Sequence, residues 1–163
     1  MTRIAVTAVL VVILDQVTKA IALERLSPGM PIPVVDGFCS LTLVFNPGLA
    51  FGMLAETPPA WRWIVAVLSL GALAVLLVLI GRLLPTGGAM TACGLGLVVG
   101  GAVGNLIDRV RFGAVVDFLD FYWRTYHWPA FNVADSAISV GVTLLALRML
   151  LTPAPALPRE KPG

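Results

Sequence analysis

The sequence predicts an all-α membrane protein, with four transmembrane helices, a small extramembrane β-hairpin region and an amphipathic surface helix. Three observations predict this. Apolar residues make up 58% of the chain and charged residues 12%, against about 45–50% and 25% in soluble domains. The mean hydropathy is +0.94. The apolar residues also gather into four runs, each near the length of about 20 residues that a hydrocarbon core about 30 Å thick demands. At 163 residues the chain suits a single domain, assigned to residues 1–152 and followed by a tail.

The first run, Ile4–Leu23, follows Met1-Thr2-Arg3 and has the look of a secretory signal. No Ala-x-Ala cleavage site follows it, and it continues into Asp15 and Lys19, so it is expected to be a retained helix. The loop 24–60 then contains Ile32-Pro-Val-Val-Asp-Gly-Phe38, with Leu41, Leu43 and Phe45 at alternate positions. Asp36-Gly37 between the two apolar stretches is a hairpin signal. The second run, Trp61–Leu84, has no charge from Ile64 to Ile80. After a short turn at 81–89, the third, Met90–Ile107, carries Gly96, Gly100 and Gly104 at four-residue intervals, a spacing that lets another helix approach its backbone closely.

The loop 108–134 holds Phe118, Phe121, Tyr122, Trp123, Tyr126, Trp128 and Phe131. Amphipathic rings favour the headgroup region, so this loop is expected to lie on the membrane surface as a helix. In the fourth run, Asp135–Leu151, the hydroxyls of Ser136, Ser139 and Thr143 can bond within the helix or to a neighbour. Residues 153–163, with four prolines, read as a disordered tail. Four spans put both termini and the short turn on one side and the two long loops on the other. The lysines and arginines divide almost evenly between the two sides, which orients the chain only weakly.

Several function classes fall away. A formal charge of +2, scattered along the chain, gives no footprint for nucleic acid. Cys39 and Cys93 are separated by the predicted bilayer boundary, which argues against a disulfide. With His127 as the single histidine, the chain has three His and Cys residues in all, one of them within a predicted span, which argues against the clustered His and Cys ligand set usual for zinc. Carboxylates remain as the candidate catalysts.

An ionisable side chain within a bilayer helix costs about 2.5–3.5 kcal/mol even on lenient scales, so each one needs a reason. Asp15 and Lys19 share a helix face in the favourable i,i+4 order, either as a self-neutralising pair that orients the helix or as part of a nearby site. Asn105 shares a face with Asp108 and Arg109 at the end of the glycine seam, where a structural polar cluster is the favoured reading. Asp117 is a carboxylate among apolar residues beside the aromatic loop. Asp135 opens the fourth span, where an acid on its own reads as an N-cap. Asn46-Pro47-Gly48 reads as a turn, although an asparagine can also bind a peptide backbone with both donor and acceptor.

Together these residues form five ordered blocks: Asp15-Gln16-Val17-Thr18-Lys19, Asn46-Pro47-Gly48-Leu49-Ala50-Phe51, Gly104-Asn105-Leu106-Ile107-Asp108-Arg109, Val115-Val116-Asp117-Phe118 and Phe131-Asn132-Val133-Ala134-Asp135. In this respect the chain resembles the lipoprotein signal peptidases, or signal peptidase II, along most of its length. The resemblance implies a bacterial inner-membrane aspartyl endopeptidase that removes the signal peptide of diacylglyceryl-modified prolipoproteins, cutting before the lipidated cysteine. It implies Asp117 and Asp135 as the catalytic pair, with Asp15, Lys19, Asn46, Gly48, Asn105, Asp108, Arg109 and Asn132 shaping or binding around them. It further implies cytoplasmic termini, an extracytoplasmic hairpin and active site, contact with membrane phospholipid, a monomer, and no metal or organic cofactor.

Two close carboxylates cannot readily both ionise, so they share a proton and can act as base and acid together. A metal-dependent lipid phosphotransferase is the rival enzyme, but it would need carboxylates converging on a divalent cation, and here the acids are dispersed. A proton-coupled transporter would use Asp15, Lys19 and Asp108 as a relay, yet the middle of the second span, Ile64 to Ile80, carries no charge and the other acids lie at helix ends. A purely structural membrane subunit would not need so many polar residues on one face.

Overall fold

The computed structural model describes residues 1–48 and 88–151, together with five helical positions between them, Val67, Gly71, Ala74, Val75 and Val78. The predicted second span, Trp61–Leu84, lies outside the described residues apart from those five positions, and the predicted tail 153–163 lies wholly outside them.

Three described helices are long and apolar enough to cross a membrane: α1 (Thr2–Arg25), α2 (Ala89–Phe112) and α3 (Val133–Leu151). The middle one, α2, packs against both others because its glycines remove side-chain bulk on two faces. A methyl group at Gly100 would meet the Ala8 carbonyl oxygen at 2.7 Å, and one at Gly96 would meet that of Ile4 at 2.9 Å. On the other face, Gly94 and Gly141 lie against each other's backbone across the α2–α3 contact. Val9, Leu10, Ile13 and Ile21 on α1, and Val140, Leu147 and Leu150 on α3, point outward and are exposed. Water would penalise such surface by about 25 cal/mol per Å², whereas acyl chains would not.

Helix α2 continues five residues past Ile107, where the third span is expected to end. Asp108 and Arg109 are therefore helical. The helix tolerates Asp108 because Lys19 of α1 neutralises it at 2.7 Å, and it stops at Gly113, whose φ of 69° is the left-handed conformation of a C-cap.

The expected hairpin is present, and it belongs to a larger sheet. Strands β1 (Ile32–Val35), β2 (Cys39–Asn46), β3 (Val115–Trp123) and β4 (Tyr126–His127) pair antiparallel in that order. Gly37 supplies the turn between β1 and β2 with a φ of 78°. Leu43, Val116 and Phe118 pack on Ala22 and Leu26, which seats the sheet on the C-terminal end of α1. Cys39 in β2 and Cys93 in α2 are both free thiols.

The sheet corrects two expectations. The fold is not purely α, and the aromatic segment is not a surface helix: Val115–Trp123 is a strand and Tyr126–His127 a short return strand. Its β-branched and aromatic residues suit a half-buried pleated surface, and β2 offers them a partner edge. Phe118 enters the core and Phe121 stacks on Phe131, while Trp123 and Tyr126 stay exposed.

A β-bulge in β2 matters for the site. Cys39, Ser40 and Leu41 pair with Phe121, Asp120 and Leu119, but Val44, Phe45 and Asn46 pair with Asp117, Val116 and Val115, so one extra residue is inserted between Leu41 and Val44. A one-residue slip exchanges the two faces of a strand. It turns Asn46 to the face that carries Asp117, whereas Ser40, before the bulge, shares the opposite face with Asp120.

Candidate active site

Residues from three helices and two strands converge where β3 passes between the ends of α2 and α3. Asp117 on β3 is 1% exposed. It accepts hydrogen bonds from Asn132 Nδ2 at 2.7 Å and Asn46 Nδ2 at 3.1 Å. Burial raises its pKa, and the negative charge of Asp135 raises it further. The bonds from Asn46 and Asn132 and the Lys19 charge oppose this only in part, leaving it at about 7.

Asp135 lies in the first turn of α3, and the sequence expectation for it needs correcting. The N-cap is Asn132: its Oδ1 accepts the Asp135 N–H at 3.0 Å, while the Asp135 carboxylate accepts the Asn132 N–H at 3.2 Å. This is a reciprocal capping box with Asp135 at the third helical position, which is why α3 begins two residues earlier than expected. The second oxygen of Asp135 accepts from Asn105 Nδ2 at 2.8 Å. Asn132 therefore bonds both acids, Asp117 through its side chain and Asp135 through its main chain.

Asp117 and Asp135 line one cavity of about 480 Å³, together with Asn46, Arg109, Trp128, Phe131, Ser136 and Ile138 among others. That volume suits a peptide-sized ligand. Arg109 reaches across it: one guanidinium nitrogen donates to the Gly48 carbonyl at 2.9 Å and another to the Asn105 carbonyl at 3.3 Å. The Gly48 N–H bonds Asn46 Oδ1 at 3.0 Å. The Asn46–Gly48 turn is thus held from both sides, with the Asn46 amine left to face Asp117. Arg109 Nε is buried and has no hydrogen-bond partner among the described residues.

Below the cavity, Asp15, Lys19, Asn105 and Asp108 are almost wholly buried. Lys19 is 2.9 Å from Asp15 and 2.7 Å from Asp108, and it donates to Asn105 Oδ1 at 2.9 Å. All ten residues singled out in the sequence thus fall in one connected region, with Asp15, Lys19 and Asp108 behind the cavity wall. Gln16 belongs to this region too, bonding Asp15, Asp108 and the Gly104 carbonyl. In the sequence Gln16 appears within the first motif block, as an amide beside Asp15, but without an assigned role. A separate cluster on the sheet, Ser40 and His127 both bonded to Asp120, stands apart from the cavity. Among the described residues, no three His, Cys, Asp or Glu side chains are grouped to hold a metal ion.

The family model for signal peptidase (SPase) II matches residues 7–151. The chain belongs to the signal peptidase II family. It is 49% identical over 140 residues to the lipoprotein signal peptidase of Geobacter sulfurreducens, covering 85% of each chain. Against that of Desulforapulum autotrophicum it is 45% identical over 157 residues, covering 95% of this chain and 96% of the relative. Among solved structures, a bacterial membrane enzyme determined by the in meso method at 2.3 Å resolution superposes with a TM-score of 0.75 at 31% identity, covering 99% of this chain and 96% of that one. A second, at 1.9 Å resolution, gives 0.72 at 30% identity. The family is one of peptidases in bacterial membranes, in keeping with the three apolar helices and the small antiparallel sheet of this chain.

Proposed function

We propose that this signal peptidase II cleaves by an aspartyl mechanism, with Asp117 and Asp135 sharing one proton. Family membership sets the activity: the chain removes the signal peptide from prolipoproteins. The observation that carries the aspartyl reading is that both carboxylates border one cavity and are tied to the same residue, Asn132. The ionised member of the pair takes a proton from a water whose oxygen adds to the scissile carbonyl carbon. The protonated member donates to the carbonyl oxygen, and collapse of the tetrahedral intermediate breaks the C–N bond as a proton passes to the leaving nitrogen. Because the two acids titrate together, neither is assigned a fixed role at rest. Arg109, Asn46 and Gly48 supply polar groups for an extended peptide backbone.

The substrate in this reading is a prolipoprotein whose cysteine already bears diacylglycerol, cut just before that cysteine. Its acyl chains stay in the bilayer beside the outward apolar face of α3, among phospholipid, and its peptide lies at headgroup depth. The reading has four spans, at about 4–23, 61–84, 90–107 and 135–151, in one domain of residues 1–152. The protein is a monomer in the bacterial inner membrane, with its termini and the tail 153–163 cytoplasmic and with the sheet and cavity on the outer face. No step passes through a metal or organic cofactor.

The test is cleavage of a synthetic diacylglyceryl-modified prolipoprotein by purified wild type, Asp117→Asn and Asp135→Asn, with Asp120→Asn for comparison. Either catalytic substitution should lower kcat by at least about 10³-fold while the protein stays folded. Asp120→Asn should leave turnover within about threefold of wild type, because Asp120 bonds Ser40 and His127 away from the cavity. Substantial turnover by Asp117→Asn, or inhibition of the wild type by EDTA, would count against the aspartyl reading.

A further inference from the structure

Lys19 presents three N–H donors and meets three acceptors, Asp15 Oδ2 at 2.9 Å, Asp108 Oδ2 at 2.7 Å and Asn105 Oδ1 at 2.9 Å. Its ammonium is saturated and leaves no donor for a substrate. What matters is where the two carboxylates spend their remaining capacity. Asp15 Oδ1 accepts the main-chain N–H of Ala134 at 2.9 Å, and Asp108 Oδ2 accepts the main-chain N–H of Val116 at 3.1 Å. Ala134 immediately precedes Asp135, and Val116 immediately precedes Asp117. One buried cation therefore joins two acids, and each acid grips the backbone one residue before a member of the pair.

The third contact of Lys19 acts on the pair through side chains. Asn105 Oδ1 accepts from Lys19 and, at 3.1 Å, from Asn132 Nδ2. The amide of Asn105 is thereby oriented with its NH₂ toward Asp135, and the same Asn132 amine continues to Asp117. Gln16 adds a neutral rung, its Nε2 lying 3.2 Å from Asp15 and 3.0 Å from Asp108. Removing one partner from such a buried group leaves charge uncompensated, so the arrangement holds as a unit or loosens as a unit.

We infer that Lys19, acting through Asp15, Asp108 and Asn105, is a positioning residue that fixes the separation and the hydrogen bonding of Asp117 and Asp135. This rests on the aspartyl reading above and adds to it a part of the molecule that never touches substrate. Displacing reacting groups by about 1 Å costs about 100-fold in rate. The loss belongs in kcat, since the brace lies behind the cavity wall.

The test uses the full-length enzyme in lipid nanodiscs with a diacylglyceryl-modified prolipoprotein peptide, comparing wild type with Lys19→Met, Lys19→Arg, Gly104→Ala and Asp117→Asn. Lys19→Met should lower kcat about 100-fold with KM held within about threefold. It should also move the falling limb of the pH profile to higher pH. The charged groups that act on Asp117 are Asp135 of α3 and Lys19 of α1, with Arg109 of α2 close by. Removing Lys19 takes away the positive charge that favours the ionised form. Lys19→Arg keeps the charge in a planar fork that cannot direct three converging donors, so it should restore the position of the limb and only part of kcat.

Should Lys19→Met fail to fold, Gly104→Ala decides the matter. Its added methyl would meet Asp15 Oδ2 at 2.5 Å, crowding the brace without removing a charge, and the expected result is the same loss in kcat at constant KM. Wild-type kcat in a folded Lys19→Met or Gly104→Ala, or a loss that falls on KM with the limb unmoved, would overturn the inference. Asp117→Asn separates the two claims. If it turns over substrate, the aspartyl reading has failed; if it is dead while Lys19→Met matches wild type, only the brace has.

Discussion

At the scale of single residues, the site follows from the cost of keeping acids out of water. Asp117 is buried beside another carboxylate, and its pKa rises to about 7, against about 3.9 in the unfolded chain. A folded state that holds its proton more tightly than the unfolded state loses stability as pH rises between those two values. Asp117→Asn removes that penalty. The variant should therefore match wild type in thermal stability near pH 4 and exceed it at pH 8, by on the order of 2 kcal/mol, in unfolding scans at the two pH values. Under the proposed aspartyl mechanism, wild-type kcat/KM should fall above about pH 7 as Asp117 loses its proton. Asp117 stands out in the sequence as a carboxylate among apolar neighbours, whereas Asp135 reads on its own as a helix cap, and their pairing comes from the resemblance. The capping partner is not legible there: Asp135 reads as the helix cap, and only the hydrogen bonds assign the cap to Asn132. The grip on Ala134 and Val116 was likewise invisible, because it is made to main-chain N–H groups that every residue possesses.

At the scale of elements, the three described helices are legible in the sequence and the sheet only partly so. Spans reveal themselves by length and oiliness, local properties of one segment, and α1 and α3 match their expected ranges to within two residues. The end of α2 is not legible in the sequence because the charge of Asp108 is compensated by Lys19, about 90 positions away. The aromatic segment differs from its expectation for a similar reason: ring content alone suits a surface helix, and the strand partner that decides otherwise lies about 75 residues earlier. The bulge in β2 is the element-scale feature with the clearest functional consequence. Deleting Thr42 should restore an even register and turn Asn46 away from Asp117. If Asp117 acts as proposed, cleavage assays on that deletion should find turnover reduced by about tenfold or more through loss of one hydrogen bond to its carboxylate, with the sheet still formed by circular dichroism.

At the scale of the whole molecule, the described helices present many apolar side chains outward and bury Asp15, Lys19 and Asp108 between them, the reverse of a soluble bundle. Such a body is stable only with acyl chains around it, and the sheet seated on the end of α1 sets the cavity at one end of the bundle. The side of the membrane is open to direct measurement. With both native cysteines replaced, Met30→Cys in the exposed turn before β1 should react with a membrane-impermeant maleimide in intact cells, and Arg3→Cys should react only after lysis. The opposite pattern would invert the topology. The weak charge asymmetry of the loops carried little of this orientation, which comes from the ordered blocks and their resemblance.

The capping box has a consequence for how the enzyme can be improved. The same carboxylate that opens α3 is also proposed to relay a proton, and a group fully committed to anchoring a helix gives up its proton-carrying freedom. Engineering that tightens this first turn for heat resistance should slow the peptidase, and libraries selected for durability alone should drift toward well-folded, sluggish proteins.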